Sequence, residues 1–152
     1  MSDEKSKELR TNITSAGKLE LSIVSVPMPQ PKDGEVLIRV EATPINPSDL
    51  GLLLGPADIS TMTIAGSGDD AVVSMDVPEA MMPAMAARVD KPLPAGNEGA
   101  GVVIAAGAGA EDMVGKTISV AGGAMYSQYR CVPAASCLVM NKGTTSAEGA
   151  SC

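Results

Sequence analysis

The sequence contains no histidine among its 152 residues. This absence excludes Ser-His-Asp triads and histidine general bases, and it removes a ligand that most catalytic zinc sites use. Phenylalanine and tryptophan are also missing, so Tyr126 and Tyr129 are the only aromatic residues. The core must therefore be built from aliphatic side chains and the ten methionines, which adapt to irregular gaps.

Cysteine is scarce as well, and its pattern is informative. The three cysteines, Cys131, Cys137 and Cys152, are odd in number and form no C-x-x-C motif, so a disulfide framework is not expected. The first ten residues are highly charged, and they contain no apolar segment of the kind that directs secretion. No run of eighteen apolar residues occurs, so no membrane partner is expected. These features together predict a cytoplasmic protein.

The sequence also has few positively charged residues relative to acidic ones. The formal net charge is −7, and clustered lysine and arginine, which would neutralise phosphates, are absent. Aromatic platforms for stacking bases are missing too. Nucleic acid is therefore excluded as a partner, and the length predicts one domain of ordinary size.

Short segments of alternating or β-branched residues, separated by turn signals, dominate the chain. Their spacing of 8 to 12 residues favours a mainly β fold, a small and mostly antiparallel barrel or sandwich. The segments around Gly122-Gly123 are predicted to pair as a hairpin. The predicted strands cover residues 8–14, 19–26, 34–43, 102–104, 116–121, 124–132 and 137–140.

Two helices are predicted between the strands. A short one begins at Asn46 or Ser48, both of which are good N-cap residues. A second is expected near residues 77–90 with Asp76 as its cap, although Pro83 should bend or shorten it.

The two ends of the chain are predicted to differ from its body. Residues 1–6 are expected to be a disordered lead-in, and residues 7–144 to form the domain. Thr145 and Glu148 form a capping box that opens a helix within residues 145–152. Since so short a helix is not stable without tertiary support, we expect the chain to be truncated before a further domain.

A glycine-rich segment, PLPAGNEGAGVVIAAG, spans Pro92 to Gly107. Its glycines invite comparison with the G-x-G-x-x-G phosphate loop, which requires a preceding strand and a following helix. Here Gly99-Ala-Gly101 runs into the strand-forming residues 102–104. The segment therefore predicts a bulge or a close backbone approach rather than a nucleotide loop.

Three motifs carry a family resemblance: GEVLIRVEATPINPSDLGLLLG, GNEGAGVVIAAG and GKTISVAGGAMYSQYRCVP. In combination they resemble the N-terminal domain of medium-chain dehydrogenases/reductases, in the zinc-free quinone-oxidoreductase-like branch. The match spans roughly residues 19–150 and is interrupted at residues 57–90. The resemblance implies a GroES-like, partly open β-barrel with a few short helices. It also implies a Rossmann cofactor domain that follows the barrel, and a homodimeric parent protein.

The resemblance also implies a site. In the resembling enzymes, the residues equivalent to Asn46 and Asp49 lie beside the nicotinamide and the substrate carbonyl. Pro47, Ser48 and Asn97 would line the same cleft. An amide donor there can orient a carbonyl oxygen during hydride transfer. The alternative is an ordinary turn in which Asn46 and Asp49 bond only to their own backbone.

Departures from the family pattern limit the chemistry. In zinc-dependent relatives a cysteine stands at the position of Asn46 and a histidine at the position of Asn97, so no catalytic zinc is expected. Some zinc-free relatives carry a tyrosine at the position of Gly51, and a hydroxyl acting there is not expected in this chain. Residues 57–90 are predicted to be an insertion that borders the cleft and shapes the substrate pocket.

These observations predict the substrate-side domain of an NADPH- or NADH-dependent oxidoreductase. The parent protein would reduce a quinone, an enone or another carbonyl by hydride transfer, while this chain alone would be inactive. The alternative from a different class is a stand-alone GroES-like interaction module without redox activity.

Overall fold

The computed structural model describes residues 4–151, and strands dominate its secondary structure. The predicted mainly β class is therefore confirmed. Within the described residues the strands are β1 Lys5–Ile13, β2 Lys18–Pro27, β3 Glu35–Ala42, β4 Asp58–Ala65, β5 Val72–Asp76, β6 Leu93–Pro94, β7 Glu98–Ala106, β8 Thr117–Ala121, β9 Tyr129–Pro133 and β10 Cys137–Val139. The α-helices are α1 Pro47–Leu53, α2 Met82–Met85 and α3 Ser146–Gly149. No helix within residues 4–151 is long and apolar enough to span a membrane.

The strands form two antiparallel sheets of five strands each. Sheet A has the order β4-β5-β2-β1-β6, and sheet B has the order β10-β8-β7-β3-β9. Both sheets combine strands that are consecutive in sequence, namely β1-β2, β4-β5 and β7-β8, with long-range pairs such as β2-β5 and β3-β7.

The chain divides into two compact units. The first consists of the residues up to Glu8, Ser25–Ile45 and the residues from Gly96 onward. The second consists of Leu9–Val24 and Asn46–Ala95.

Each unit has its own apolar core. The fully buried aliphatic side chains that centre the first core lie on sheet B and in the loop before β9; they are Val36, Ile38, Val103, Ile118, Val120 and Met125. The second core is built from Ile13, Leu19, Met75 and Val77. Methionines take central places in both cores, as the absence of Phe and Trp requires.

The contact between β3 and β7 explains the glycine-rich segment. A Cβ atom added at Gly101 would lie 2.0 Å from the Arg39 carbonyl oxygen, and one at Gly99 would lie 2.7 Å from Cγ2 of Thr43. The register shifts between Val40 and Ala42, so these two strands meet at a bulge. The predicted close backbone approach is confirmed.

The residue at this bulge, Glu41, binds helix α3. Glu41 Oε2 accepts a hydrogen bond from Ser146 Oγ at 2.7 Å, and Oε1 accepts one from Arg39 Nη2 at 2.8 Å. These bonds, chiefly the one from Arg39, lower the pKa of Glu41 below its usual value. The buried Ser119 hydroxyl donates to the Gly149 carbonyl oxygen at the other end of α3. Helix α3 is thereby held against sheet B at both ends.

The predicted hairpin around Gly122-Gly123 is wrong. Strand β8 pairs with β7 and β10, whereas β9 begins only at Tyr129 and pairs with β3. The intervening residues are held elsewhere, because Gly122 N donates to the Asn97 carbonyl and Met125 N donates to the Gly96 carbonyl. Complete burial of Met125 draws this segment into the core and so prevents a tight turn.

The predicted helix over residues 77–90 is also wrong in its extent. The segment forms three short helical pieces, Glu79–Met81, Met82–Met85 and Ala86–Arg88. Pro83 stands at the start of the middle piece, where the missing N–H of proline is tolerated, so no continuous helix runs through it. Asp76 does not cap a helix; it ends β5, where its carboxylate pairs with Lys18.

Two strands within residues 57–90 were not predicted. Strands β4 and β5 pair with each other, and β5 also pairs with β2. That this segment is an insertion stays a prediction.

The chain ends fit the predictions in part. The lead-in is shorter than predicted, because Lys5 already begins β1 and Ser6 is fully buried; residues 1–3 lie outside the described residues. The capping box at Thr145 is present, with Glu148 Oε2 accepting from Thr145 N at 2.8 Å. The predicted helix start is thus confirmed up to Gly149, while Cys152 lies outside the described residues.

Substitution of Gly101 by alanine tests the close approach of β3 and β7. The new Cβ would overlap a backbone carbonyl that cannot move without separating the strands, so we expect the free energy of unfolding to fall by at least about 2 kcal/mol. Urea denaturation followed by circular dichroism measures this loss. Gly123→Ala is the matched control, because nothing lies within 4 Å of a Cβ added there. Equal stability of the two variants would contradict the packing argument.

Candidate functional site

The turn that opens helix α1 carries four of the five predicted site residues. Asn46 is the N-cap, in an extended conformation with φ −89° and ψ 157°. Pro47 follows at the first helical position, where its fixed φ suits the helix and its missing N–H leaves no bond unmade. Gly55 follows the C-cap residue Leu54 in a left-handed conformation, so the predicted short helix is confirmed.

The buried side chain of Asp49 stabilises this turn by a hydrogen bond to its backbone. Its side chain is only 2% exposed, and its Oδ2 accepts a hydrogen bond from Asn46 N at 2.8 Å. The Asp49 N–H in turn donates to the Asn46 carbonyl at 2.9 Å. These bonds are those of a capped turn, and whether Asn46 and Asp49 also contact a substrate stays a prediction.

The other residues of the turn are more accessible. Asn46 is half-buried, while Pro47 and Ser48 are exposed. Two exposed apolar side chains flank them in sequence, Ile45 at 72% exposure and Leu50 at 42%. The turn thus presents a half-buried amide side chain, and the buried Asp49 carboxylate binds the backbone N–H of the same residue. Such an arrangement can orient a polar atom of an otherwise apolar molecule.

Asn97 belongs to the other unit. It is exposed, and it directly precedes β7, where its carbonyl accepts a hydrogen bond from Gly122 N at 2.8 Å. Neither unit by itself therefore contains all five predicted residues. Asn46, Pro47, Ser48 and Asp49 share one turn in the second unit, and Asn97 lies in the first.

Tyr126 has a positioning role that the sequence did not reveal. Its hydroxyl donates to the Pro44 carbonyl at 2.9 Å, and its ring lies against Gly96, where an added Cβ would come within 2.7 Å of Cδ1. Pro44 stands two residues before the N-cap of α1. The sequence signal was the scarcity of aromatics, which by itself indicates only core packing.

Metal sites in proteins are formed by sets of His, Cys, Asp or Glu side chains that lie close together. Among the described residues, no three His, Cys, Asp or Glu side chains lie close enough together to hold a metal. Burial raises the pKa of the Cys131 thiol and of the Cys137 thiol. The carboxamides of Asn46 and Asn97 are weak substitutes for thiolate and imidazole.

The comparison with protein families decides the identity of the domain. A model of the alcohol dehydrogenase GroES-like domain matches residues 32–144. The chain belongs to this family. The predicted GroES-like fold is thereby confirmed.

Several known proteins are similar to this GroES-like domain in sequence or in structure. A zinc-type alcohol dehydrogenase-like protein of Schizosaccharomyces pombe is 62% identical over 34 residues, which is 22% of this chain and 10% of that protein. The structure of the quinone oxidoreductase from Coxiella burnetii matches 97% of this chain with a TM-score of 0.64 at 15% identity. The human synaptic vesicle membrane protein VAT-1 homolog-like protein matches 97% with a TM-score of 0.64 at 20% identity. A mycobacterial protein complexed with NADPH matches 93% with a TM-score of 0.58 at 23% identity.

These matches establish the fold of the GroES-like domain. The chain spans 40%, 39% and 34% of the three solved structures, respectively.

The glycines of this domain do not form a cradle for a dinucleotide. Gly99 and Gly101 are buried where β7 abuts β3, so their missing side chains make room for protein backbone rather than for phosphate. Gly96, with φ +98°, makes room for the Tyr126 amide in the same way. These three glycines therefore pack against protein and do not form a phosphate-binding loop.

Removal of the Asp49 carboxylate tests its role in the turn. Asp49→Ala leaves the half-buried Asn46 N–H without its acceptor and removes a buried side chain, so we expect the free energy of unfolding to fall by about 1–3 kcal/mol. Glu148→Ala is the matched control, since Glu148 accepts the same bond at the N-cap of α3 but is exposed. Loss of an exposed cap should cost less, about 1 kcal/mol. Urea denaturation of both variants measures the difference, and an equal loss would contradict the importance of burial.

Proposed function

We propose that this GroES-like domain is the substrate-side part of a zinc-free, NAD(P)H-dependent oxidoreductase. The substrate would be a quinone, an enone or another carbonyl compound that is reduced by hydride transfer. The observation that supports this proposal best is the turn at the start of α1. There the buried Asp49 carboxylate accepts a hydrogen bond from the backbone N–H of Asn46, whose carboxamide is half-buried, within the segment that matches the family.

In this proposal Asn46 and Asp49 have different roles. Asn46 donates a hydrogen bond from its carboxamide to the substrate carbonyl oxygen, and this bond strengthens as negative charge develops on that oxygen. Asp49 fixes the Asn46 backbone, so it acts as a positioning residue. Pro47 restricts the same turn, and Ser48 and Asn97 are assigned to the rim of the cleft.

Bound NADPH or NADH would supply the hydride. Since the described residues provide no phosphate-binding loop, we infer that the cofactor is held mainly by a domain beyond this chain. The share of the solved structures that the chain spans, between 34% and 40%, supports this inference. The same proposal includes a cytoplasmic, homodimeric parent protein that binds no nucleic acid.

An isosteric substitution of Asn46 tests the proposed donor. In the parent protein, Asn46→Asp keeps an N-cap residue but replaces the donor amide by a charged acceptor, so kcat for quinone or enone reduction should fall by about 10²–10³-fold. Thermal denaturation should be unchanged. The measurement is NADPH and NADH oxidation, with the 152-residue chain as the inactive baseline.

The control for this assay is Asn141→Asp. Asn141 is an exposed asparagine in the turn before α3, and its substitution should leave kcat and KM unchanged. Turnover by the 152-residue chain alone would overturn the assignment of the cofactor to another domain. A stop codon directly after Cys152 would favour the interaction module instead.

Metal analysis tests the zinc-free part of the proposal separately. Purified protein, dialysed against metal-free buffer, should contain far less than one zinc per chain by mass spectrometry of its metals. The reason is that neither carboxamide can replace a thiolate or imidazole ligand. One tightly bound zinc per chain would show that Asn46 and Asn97 have been misinterpreted.

A further inference from the structure

The loop between β8 and β9, residues 122–128, is bound to the segment that leads into β7. Gly122 N donates a hydrogen bond to the Asn97 carbonyl at 2.8 Å, and Met125 N donates one to the Gly96 carbonyl at 3.2 Å. Met125 is fully buried, so its side chain anchors the loop in the core of the first unit. The loop is therefore held directly against Asn97, one of the predicted site residues.

The Tyr126 side chain extends this attachment to a second segment. Its ring lies against Gly96, where an added Cβ would come within 2.7 Å of Cδ1. Its hydroxyl donates a hydrogen bond to the Pro44 carbonyl at 2.9 Å, and Pro44 stands two residues before Asn46. Gly96, Pro44 and Tyr126 all belong to the first unit. Tyr126 therefore joins the backbone that leads to Asn46 to the backbone that leads to Asn97.

Backbone strain shows that the position of Tyr126 in this loop is closely determined. Ala124 has a φ of 67°, in the left-handed region that residues with a Cβ seldom adopt. Its carbonyl accepts a hydrogen bond from Ser127 Oγ at 3.0 Å, and the Gly123 carbonyl accepts one from Arg130 Nε at 3.2 Å. A strained conformation persists only where the surrounding contacts over-determine it, and it is typical of functional segments.

The segment that Tyr126 binds has little other restraint. Residues 43–46 join β3 to α1 without regular secondary structure, so neither a sheet nor a helix fixes their backbone. Asp49, which follows Asn46, accepts a hydrogen bond from Asn46 N, whereas the Tyr126 hydroxyl binds Pro44, which precedes Asn46. The backbone of Asn46 is thus restrained by one bond on each side in sequence.

We propose that Tyr126 is a positioning residue for the hydride transfer and that it acts through Asn46. This inference rests on the proposed function. By holding the Pro44 carbonyl, the Tyr126 hydroxyl keeps the Asn46 carboxamide in the one orientation that meets the substrate carbonyl oxygen, and a small misplacement of such a group lowers the rate strongly. Tyr126 itself neither touches the substrate nor transfers a proton.

Removal of one hydroxyl group tests the proposal in the parent protein. Tyr126→Phe keeps the ring against Gly96 but loses the bond to Pro44, so kcat for quinone or enone reduction should fall about tenfold, while KM changes by less than about twofold. Tyr129→Phe is the matched control, since Tyr129 is the other tyrosine of the chain, is half-buried like Tyr126, and lies within β9. The control should keep kcat and KM. Unchanged kcat in Tyr126→Phe, or an equal loss in both variants, would overturn the proposal.

A double-variant cycle with Asn46→Asp tests whether Tyr126 acts through Asn46. Once the carboxamide has been replaced, Tyr126→Phe should lower kcat by less than about a further twofold, because the group that it positions is gone. A merely structural role would lower kcat about tenfold in both backgrounds, and that result would overturn the proposal. Unchanged kcat in Asn46→Asp alone would instead contradict the proposed role of Asn46, so the two failures are distinguishable.

Discussion

The close approach of β3 and β7 is the constraint on which the first unit depends. At Gly101 the two backbones lie so near that a single methyl group would strike the Arg39 carbonyl. The strands accommodate this approach with a bulge, and the extra residue, Glu41, is the one that binds Arg39 and Ser146. The bulge that accommodates the close approach of β3 and β7 thereby places the Glu41 carboxylate where it accepts a hydrogen bond from Ser146 of helix α3. Glycine is needed at Gly101 for contact with protein, which is why the motif resembles a phosphate loop in sequence but not in structure.

Local signals in the sequence predicted most of the correct elements. Asn46 and Thr145 are N-caps followed three residues later by an acid, and both open helices as predicted. Such motifs predict helix starts correctly because the groups that form the hydrogen bonds are near in sequence, so the bonds depend little on tertiary structure. The prediction of β3 succeeds because its residues favour a strand, although burial does not alternate at its start, where Val36, Leu37 and Ile38 are all buried.

The wrong predictions concern segments whose structure depends on contacts with residues that are distant in sequence. The segment before β9 failed as a hairpin because burial of Met125 and bonds to residues 96–97 outweigh the turn preference of two glycines. Strand β4 was missed because its place in sheet A comes from pairing with β5, which residues 58–65 alone do not reveal. For the site, sequence placed Asn46 and Asp49 on one turn, but neither the burial of Asp49 nor the bond from Tyr126 to Pro44 has a sequence signature.

The proposed chemistry explains why this turn would need so much support. A zinc ion stabilises developing negative charge through its own field, which tolerates small errors in position. A carboxamide is only a dipole, so its effect depends on being held in the right orientation before the reaction begins. Asp49 would supply that restraint by accepting a hydrogen bond from Asn46 N. Pro47 has a fixed φ at the first helical position. Tyr126 donates a hydrogen bond to the carbonyl of Pro44, two residues before Asn46. If Asn46 takes the place of a metal ligand, as proposed, the site depends on backbone rigidity rather than on ligand chemistry, and the bond from Asn46 N to Asp49 would contribute to that rigidity.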